Sequence, residues 1–163
     1  LCAALLKKTH FDLVLEKACE LGVRTVQPVI TRRCVADKLN LERARTILIE
    51  AAEQCARTAL PALAEPVKLE ALLRNWQADR TLFFADENAI GSGTDAAAAS
   101  FTAHPGPAAL LIGPEGGFDD AERALVRALP PARPISLGPR VLRAETAAIA
   151  GTALWMATAG DWN

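Results

Sequence analysis

Apolar and polar residues alternate along the chain in a pattern that predicts helices and short strands in turn. Near the start, apolar residues recur at intervals of three and four, while charged residues take the other faces. The apolar positions of this predicted helix are Phe11, Val14, Leu15, Ala18 and Leu21. Gly22 follows as a helix stop, and residues 23–30 then predict a short strand with Pro28 late in it.

The same order continues through the rest of the chain. Further helices are predicted at 41–60, ended by Pro61, more weakly at 70–76, and at 119–129 and 145–159. Apolar runs at 81–85, 108–112 and 134–137 predict strands, and 91–107 reads as a connection with some helix. Strands that alternate with helices predict an α/β fold with a mainly parallel sheet and flanking helices.

Composition indicates one globular domain that spans residues 1–163. The chain has 163 residues, of which 51% are hydrophobic, enough for a substantial core. Its richest apolar stretch, 147–159, is shorter than the roughly 20 residues that span a bilayer. The four cysteines form no CxxC pair and the two histidines lie far apart, so we expect reduced thiols and no metal site. With no secretory signal at the start, a cytoplasmic protein without membrane contact is expected.

The formal net charge of −1 argues against a general polyanion binder. Nucleic-acid binding takes much of its affinity from Lys and Arg side chains that neutralise phosphates. We therefore expect strong RNA affinity to need help from elsewhere, and the start at Leu1 rather than Met suggests a piece of a longer protein.

The loop after the predicted strand 108–112 is rich in glycine. It reads GPEGGF at 113–118, followed by Asp119 and Glu122, which have the spacing of a helix capping box. One interpretation is a tight turn in which glycines supply positive φ angles. The other is a stretch of open backbone that binds a nucleoside cofactor beyond the strand end. The spacing is neither a P-loop nor GxGxxG, which disfavours ATP and NAD.

A second loop follows the predicted strand 134–137. It places Arg140, Arg143 and Glu145 just before an apolar helix. A salt-bridged connection with Glu145 at a helix N-terminus is one interpretation. A pocket partly lined by the interleaved Val141 and Leu142 is the other.

Together these motifs resemble a known enzyme family. GPEGGF at 113–118 with Glu122, and LGPRVLRAETA at 137–147, look like the paired motifs of the methyltransferases that modify N3 of a uridine in 16S ribosomal RNA. The segments EKACELGV at 16–23 and EAAEQCAR at 50–57 also resemble that family, so the resemblance covers nearly the whole chain.

The resemblance implies a SPOUT fold with a C-terminal trefoil knot, the cofactor S-adenosylmethionine, a homodimer, and 16S ribosomal RNA or the small ribosomal subunit as partner. Family members also carry a small N-terminal PUA-like RNA-binding domain, and this sequence contains no counterpart of it. Apart from the resemblance, the last helix has few polar positions, so we expect it to be buried all round, in the core or against a partner.

Roles for individual residues follow from the resemblance and from the chemistry. Uridine N3 is a protonated imide, so its methylation needs proton removal and stabilisation of the anion. Arg143 or Arg140 would stabilise the uracil anion or hold a phosphate, and Glu115 or Glu145 would accept the proton. Either glutamate could instead only fix its own loop.

Binding residues are predicted in the same way. The cofactor candidates are Gly113, Gly117, Leu137, Gly138, Leu142 and Arg143, with Ala85, Asp86 and Glu87 as a weaker third loop. The substrate candidates are Gln54, Arg57 and Arg140, although Arg57 could also form an ordinary surface pair with Glu53.

Two other functions remain open from the sequence. One is a different SPOUT methyltransferase that modifies a ribose 2′-oxygen and shares only the cofactor pocket. The other is a non-catalytic, RNA-associated dimerisation module that has kept the fold. S-adenosylmethionine binding separates the last alternative from both enzymes.

Overall fold

The computed structural model describes residues 1–86 and 96–162. Its strands are β1 Cys2–Ala4, β2 Thr25–Ile30, β3 Ala62–Leu63, β4 Val67–Lys68, β5 Thr81–Ala85, β6 Ala108–Ile112 and β7 Ala132–Ile135. Its helices are α1 Lys8–Glu20, α2 Leu41–Gln54, α3 Leu69–Arg74, α4 Ala97–Ala103, α5 Asp120–Ala128 and α6 Ala144–Thr158.

The strands form one sheet in the order β3-β2-β1-β6-β5-β7, with β4 paired to β2 as well. Every pairing between these strands is parallel. The predicted α/β class with a mainly parallel sheet is confirmed.

Helices cover both faces of the sheet and create two cores. Phe83 of β5 packs on the face that carries α1, α2, α4 and α6. Its neighbours Leu82 and Phe84 pack on the other face, against α3 and α5. This alternation follows from the period of two along a strand, and it explains why β5 is apolar throughout.

Helix α2 ends six residues earlier than the periodicity predicted. Ala56 takes a φ of +56°, in the left-handed region, and the backbone N–H of Arg57 donates to the carbonyl of Ala52 at 2.9 Å. An alanine gives no sequence signal for such a turn, because glycine or asparagine usually occupies it. Strands β1, β3 and β4 were also not predicted, since each has only two or three residues.

The last helix is buried on one face in the single chain, so burial all round within the core is excluded, and burial of its other side against a partner stays a prediction. Gly151 lies against the sheet so closely that a Cβ there would come within 2.7 Å of a methyl carbon of Leu110. On the other side, Leu154 is 37% exposed. In residues 1–86 and 96–162, no helix is both long and apolar enough to cross a membrane.

Candidate active site

A cavity of about 680 Å³ opens at the carboxyl ends of β5, β6 and β7. It is lined by the start of α1 and by the two loops that the sequence singled out. The lining residues are 7, 10, 35, 85–86, 113–117, 135–138, 140–145 and 147. Ligands of open α/β sheets bind at this edge, so this cavity is the candidate active site.

The glycine loop turns from β6 into α5. The backbone N–H of Gly117 donates to the carbonyl of Pro114 at 2.9 Å, and Gly117 has a φ of +66°, in the left-handed region. Gly113 lies against the ring of Phe118, where a Cβ would come within 3.0 Å of it. The loop is therefore a tight turn, and its residues 113–117 also line the cavity, while cofactor binding by its backbone stays a prediction.

Helix α5 begins with the capping box that the sequence predicted. The Glu122 backbone N–H donates to Asp119 Oδ1 at 2.7 Å, and the Asp119 N–H donates to Glu122 Oε2 at 3.1 Å. The first of these bonds, together with the guanidinium of Arg32, holds the pKa of the Asp119 carboxyl below its usual range. The cap fixes the end of the glycine loop.

A turn after β2 anchors the glycine loop from outside, a feature that sequence reasoning missed. The backbone N–H of Arg32 donates to Glu122 Oε1 at 2.8 Å, and its guanidinium donates to Asp119 at 3.0 Å. Next to it, the guanidinium of Arg33 donates to the carbonyl of Gly116 at 3.0 Å. More than 80 residues separate the turn from the loop, so no local pattern connects them.

The second loop leads from β7 into α6 and forms the opposite wall. Gly138 has a φ of +117°, and its N–H donates to the hydroxyl of Ser136 at 3.3 Å. Arg143 is the N-cap residue of α6, and both Arg143 and Arg140 are exposed where they line the cavity. Val141 is 74% exposed at the rim.

The structure brings Glu115 and Glu145 to the same part of the cavity. His10, from α1, faces both of them: its Nδ1 lies 2.9 Å from Glu115 Oε1 and 4.0 Å from Glu145 Oε2. Glu145 is only 8% exposed, and its Oε2 has no hydrogen-bond partner among the described residues. A buried carboxylate oxygen without a donor is costly, so this atom is suited to meet a ligand.

The weaker third loop contributes Ala85 and Asp86 to the lining, and Glu87 lies outside the described residues. The Asp86 carboxylate is fully buried and accepts hydrogen bonds from Arg123 at 3.0 Å and Arg127 at 2.7 Å. This arrangement ties the end of β5 to α5.

The structure does not bring Gln54 or Arg57 to the cavity. Gln54 is exposed at the end of α2. The guanidinium of Arg57 donates to the carbonyls of Cys19 at 2.9 Å and Val23 at 2.8 Å, where α1 ends. Arginine often satisfies the free carbonyls of a helix C-terminus. The substrate role of these two residues stays a prediction.

The chain matches the model of the RNA methyltransferase domain family over residues 1–156. It belongs to that family. The RNA methyltransferase domain is 31% identical to ribosomal RNA small subunit methyltransferase E of Rickettsia conorii, over 94% of this chain and 62% of that protein. It is 34% identical to the protein of the same name from Synechocystis, over 90% of this chain and 49% of that protein. The chain thus spans about half to two thirds of these relatives.

Solved structures give the same picture of the RNA methyltransferase domain. Ribosomal RNA small subunit methyltransferase E from Neisseria gonorrhoeae, bound to S-adenosylmethionine, superposes with a TM-score of 0.89 at 27% identity, over 99% of this chain and 66% of that one. A Legionella pneumophila methyltransferase in complex with S-adenosylmethionine gives a TM-score of 0.84 at 34% identity, over 97% and 65%.

A SpoU methyltransferase from Streptomyces viridochromogenes gives a TM-score of 0.59 at 20% identity, over 95% of this chain and 58% of that one, and this similarity concerns the fold alone. The predicted family and SPOUT-type fold of the RNA methyltransferase domain are confirmed. The trefoil knot stays a prediction.

Proposed function

We propose that this domain transfers a methyl group from S-adenosylmethionine to N3 of a uridine in small-subunit ribosomal RNA. The main support for this proposal is a cavity lined by two glycine-containing loops and by Glu145, whose buried carboxylate oxygen Oε2 has no hydrogen-bond partner among the described residues. The names of the relatives support ribosomal RNA as the substrate, and the motifs at 113–118 and 137–147 support N3 as the target atom.

The cavity fits the proposed cofactor. Its volume of about 680 Å³ lies in the range of small-molecule sites, and residues of the two glycine-containing loops line it. The residues that would hold the cofactor are Gly113, Gly117, Leu137, Gly138, Leu142 and Arg143. When bound, the cofactor supplies an electrophilic methyl group on a sulfonium.

Side chains of the cavity would deprotonate the uracil and stabilise its negative charge before methyl transfer. Glu145, or Glu115 beside it, accepts the N3 proton, while the nearby guanidinium of Arg143 stabilises the negative charge on the uracil. Arg140, exposed at the rim, binds an RNA phosphate. Burial of Glu145 keeps water away from the carboxylate that accepts the proton.

Two partners belong to the proposal. The first is 16S ribosomal RNA or the assembled small subunit in the cytoplasm, which this domain alone binds weakly because its net charge is −1. The second is another copy of the chain, and the partly exposed outer side of α6, with Leu154, supports a homodimer.

The test begins with calorimetric titration of S-adenosylmethionine into the parent chain and the Glu145→Gln variant. Both should bind, because Gln keeps the size of the side chain. Absence of binding to the parent would favour the non-catalytic dimerisation module.

Transfer is then measured on small-subunit ribosomal RNA at low salt, with nucleoside mass spectrometry of the product. We expect 3-methyluridine from the parent and a rate at least about a hundredfold lower from Glu145→Gln. A 2′-O-methylated nucleoside would instead identify the chain as the other type of SPOUT enzyme.

A further inference from the structure

His10 lies between the two glutamates of the cavity and has no role in the function proposed above. Its Nδ1 is 2.9 Å from Glu115 Oε1 and 4.0 Å from Glu145 Oε2, so one ring nitrogen faces both carboxylates. In the chain, His10 precedes Glu115 by 105 residues. The two contacts exist because the start of α1 lies beside both the glycine loop and the first turn of α6 in the cavity.

The chemistry of the three groups determines where the protons are. An ionised carboxylate only accepts hydrogen bonds, so with Glu115 in that form Nδ1 of His10 is the donor in the 2.9 Å contact. With both ring nitrogens protonated, the imidazolium also attracts Glu145 Oε2, the buried oxygen that lacks a donor among the described residues. A neutral imidazole would leave two carboxylates close together without a compensating charge.

We propose that His10, as an imidazolium, is a positioning residue that holds Glu115 and Glu145 in the cavity as ionised carboxylates. The inference rests on the proposed function, because it assigns a purpose to the ionised state of Glu145, the proton acceptor. Glu115 then acts as the fixed partner of His10 and leaves Glu145 free to face the base. His10 exchanges no proton with the substrate.

The other charged groups at the cavity do not replace His10. Lys7 lies just before α1, and Arg140 and Arg143 come from the loop before α6. These three have no carboxylate partner among the ion pairs of the described residues. Asp86, from the end of β5, is bonded to Arg123 and Arg127, so its charge is compensated.

Histidine side chains change charge between about pH 5 and 8, whereas lysine stays protonated throughout. Loss of the proton from an imidazolium removes its charge, and two carboxylates beside it then repel each other. A permanent cation at position 10 should keep the two carboxylates compensated, so the rate of methyl transfer should no longer fall for this reason as the pH rises.

The experiment compares the parent with His10→Lys and His10→Gln from pH 5.5 to 8.5, at saturating S-adenosylmethionine and RNA. Rates are expressed as ratios to the parent, which cancels the pH dependence of the substrate itself. His10→Gln should have a kcat roughly tenfold below the parent at pH 5.5 and approach it at pH 8.5. His10→Lys should match the parent at low pH and exceed it at high pH. His104→Gln, remote from the cavity, is the control and should give a constant ratio.

A measurement without RNA separates this inference from the proposed function. In the cofactor-free protein, the melting temperature of His10→Gln should lie below that of the parent at pH 5.5, and the gap should close by pH 8.5. A gap that does not change with pH, or equal kcat values for His10→Gln and the parent at every pH, would overturn the role of His10. Absence of methyl transfer by the parent, with the pH-dependent gap intact, would count against the proposed function alone.

Discussion

The backbone N–H of Arg32 donates to the carboxylate of Glu122 at 2.8 Å, which joins the turn after β2 to the first turn of α5. The same carboxylate accepts the backbone N–H of Asp119 through its other oxygen. Glu122 is fully buried, so its two oxygens satisfy two backbone donors that no water reaches. The glycine loop is therefore held by tertiary as well as local contacts.

Replacement of Glu122 by Gln should weaken both stability and cofactor binding. The amide can accept only one of the two N–H groups and turns its NH₂ towards the other, which costs about 1–3 kcal/mol of unfolding free energy. Chemical denaturation measures this cost, and calorimetry should show weaker S-adenosylmethionine binding because the loop loses its anchor. Asp120→Asn is the control on the same helix turn, where the side chain is fully exposed, and it should change neither quantity appreciably.

Acid should remove the contribution of the Asp119 cap. Because the pKa of Asp119 is lowered in the folded protein, its carboxylate stabilises the fold at every pH above the unfolded value, near 3.9. That stabilisation disappears as the pH falls through the folded value. The melting temperature of Asp119→Asn should thus lie below the parent at pH 7 and converge with it in acid. A constant difference from pH 7 to pH 2.5 would show that the charge of Asp119 does not stabilise the cap.

Gly138 should be required for the cofactor, and the chain offers a matched control in Gly106. Both have positive φ angles, +117° and +115°, and a Cβ would meet no atom within 4 Å at either position. Alanine at each should cost a similar 1–3 kcal/mol of backbone strain, measured by denaturation. Only Gly138→Ala should lower the affinity for S-adenosylmethionine, since Gly106 lies before β6 at the other edge of the sheet. Equal affinities for both variants would remove Gly138 from the site.

Arg143→Ala should lower kcat in a way that additional RNA does not overcome. The lost charge belongs to the reaction centre, so transition-state stabilisation falls while RNA docking is kept. Arg45, exposed on α2, is the control, and Arg45→Ala should change at most the KM for RNA. Full recovery of the Arg143→Ala rate at high RNA concentration would assign Arg143 to docking instead.

Arg57→Ala should be a stability variant. Its guanidinium satisfies carbonyls at the end of α1, and loss of such charged hydrogen bonds costs about 1.5–3 kcal/mol. Denaturation should show this loss with unchanged cofactor affinity. A raised KM for RNA with unaltered stability would support the substrate role that the sequence predicted.

The sequence predicted those features that depend on neighbouring residues. The capping box of Asp119 and Glu122 and the apolar strands β5 and β6 follow from spacing within a few positions. His10 was not identified as a site residue, because Glu115 of the glycine loop and Glu145 of α6 lie more than 100 residues away and no periodicity links them to it. Arg57 was placed inside the predicted helix 41–60, but α2 ends at Gln54, before the chain reaches it.

The cavity joins the two ends of the chain, because α1 and α6 pack together and each supplies lining residues. A ligand seated there adds its binding free energy to the cost of opening either helix, about 2.7 kcal/mol at a hundred times its Kd. Amide hydrogen exchange in α1 and α6 should accordingly slow in parallel as the cavity fills, although residues 7 and 147 lie at opposite ends of the sequence. Cofactor binding and protection of α1 and α6 from opening are then two measures of the same equilibrium.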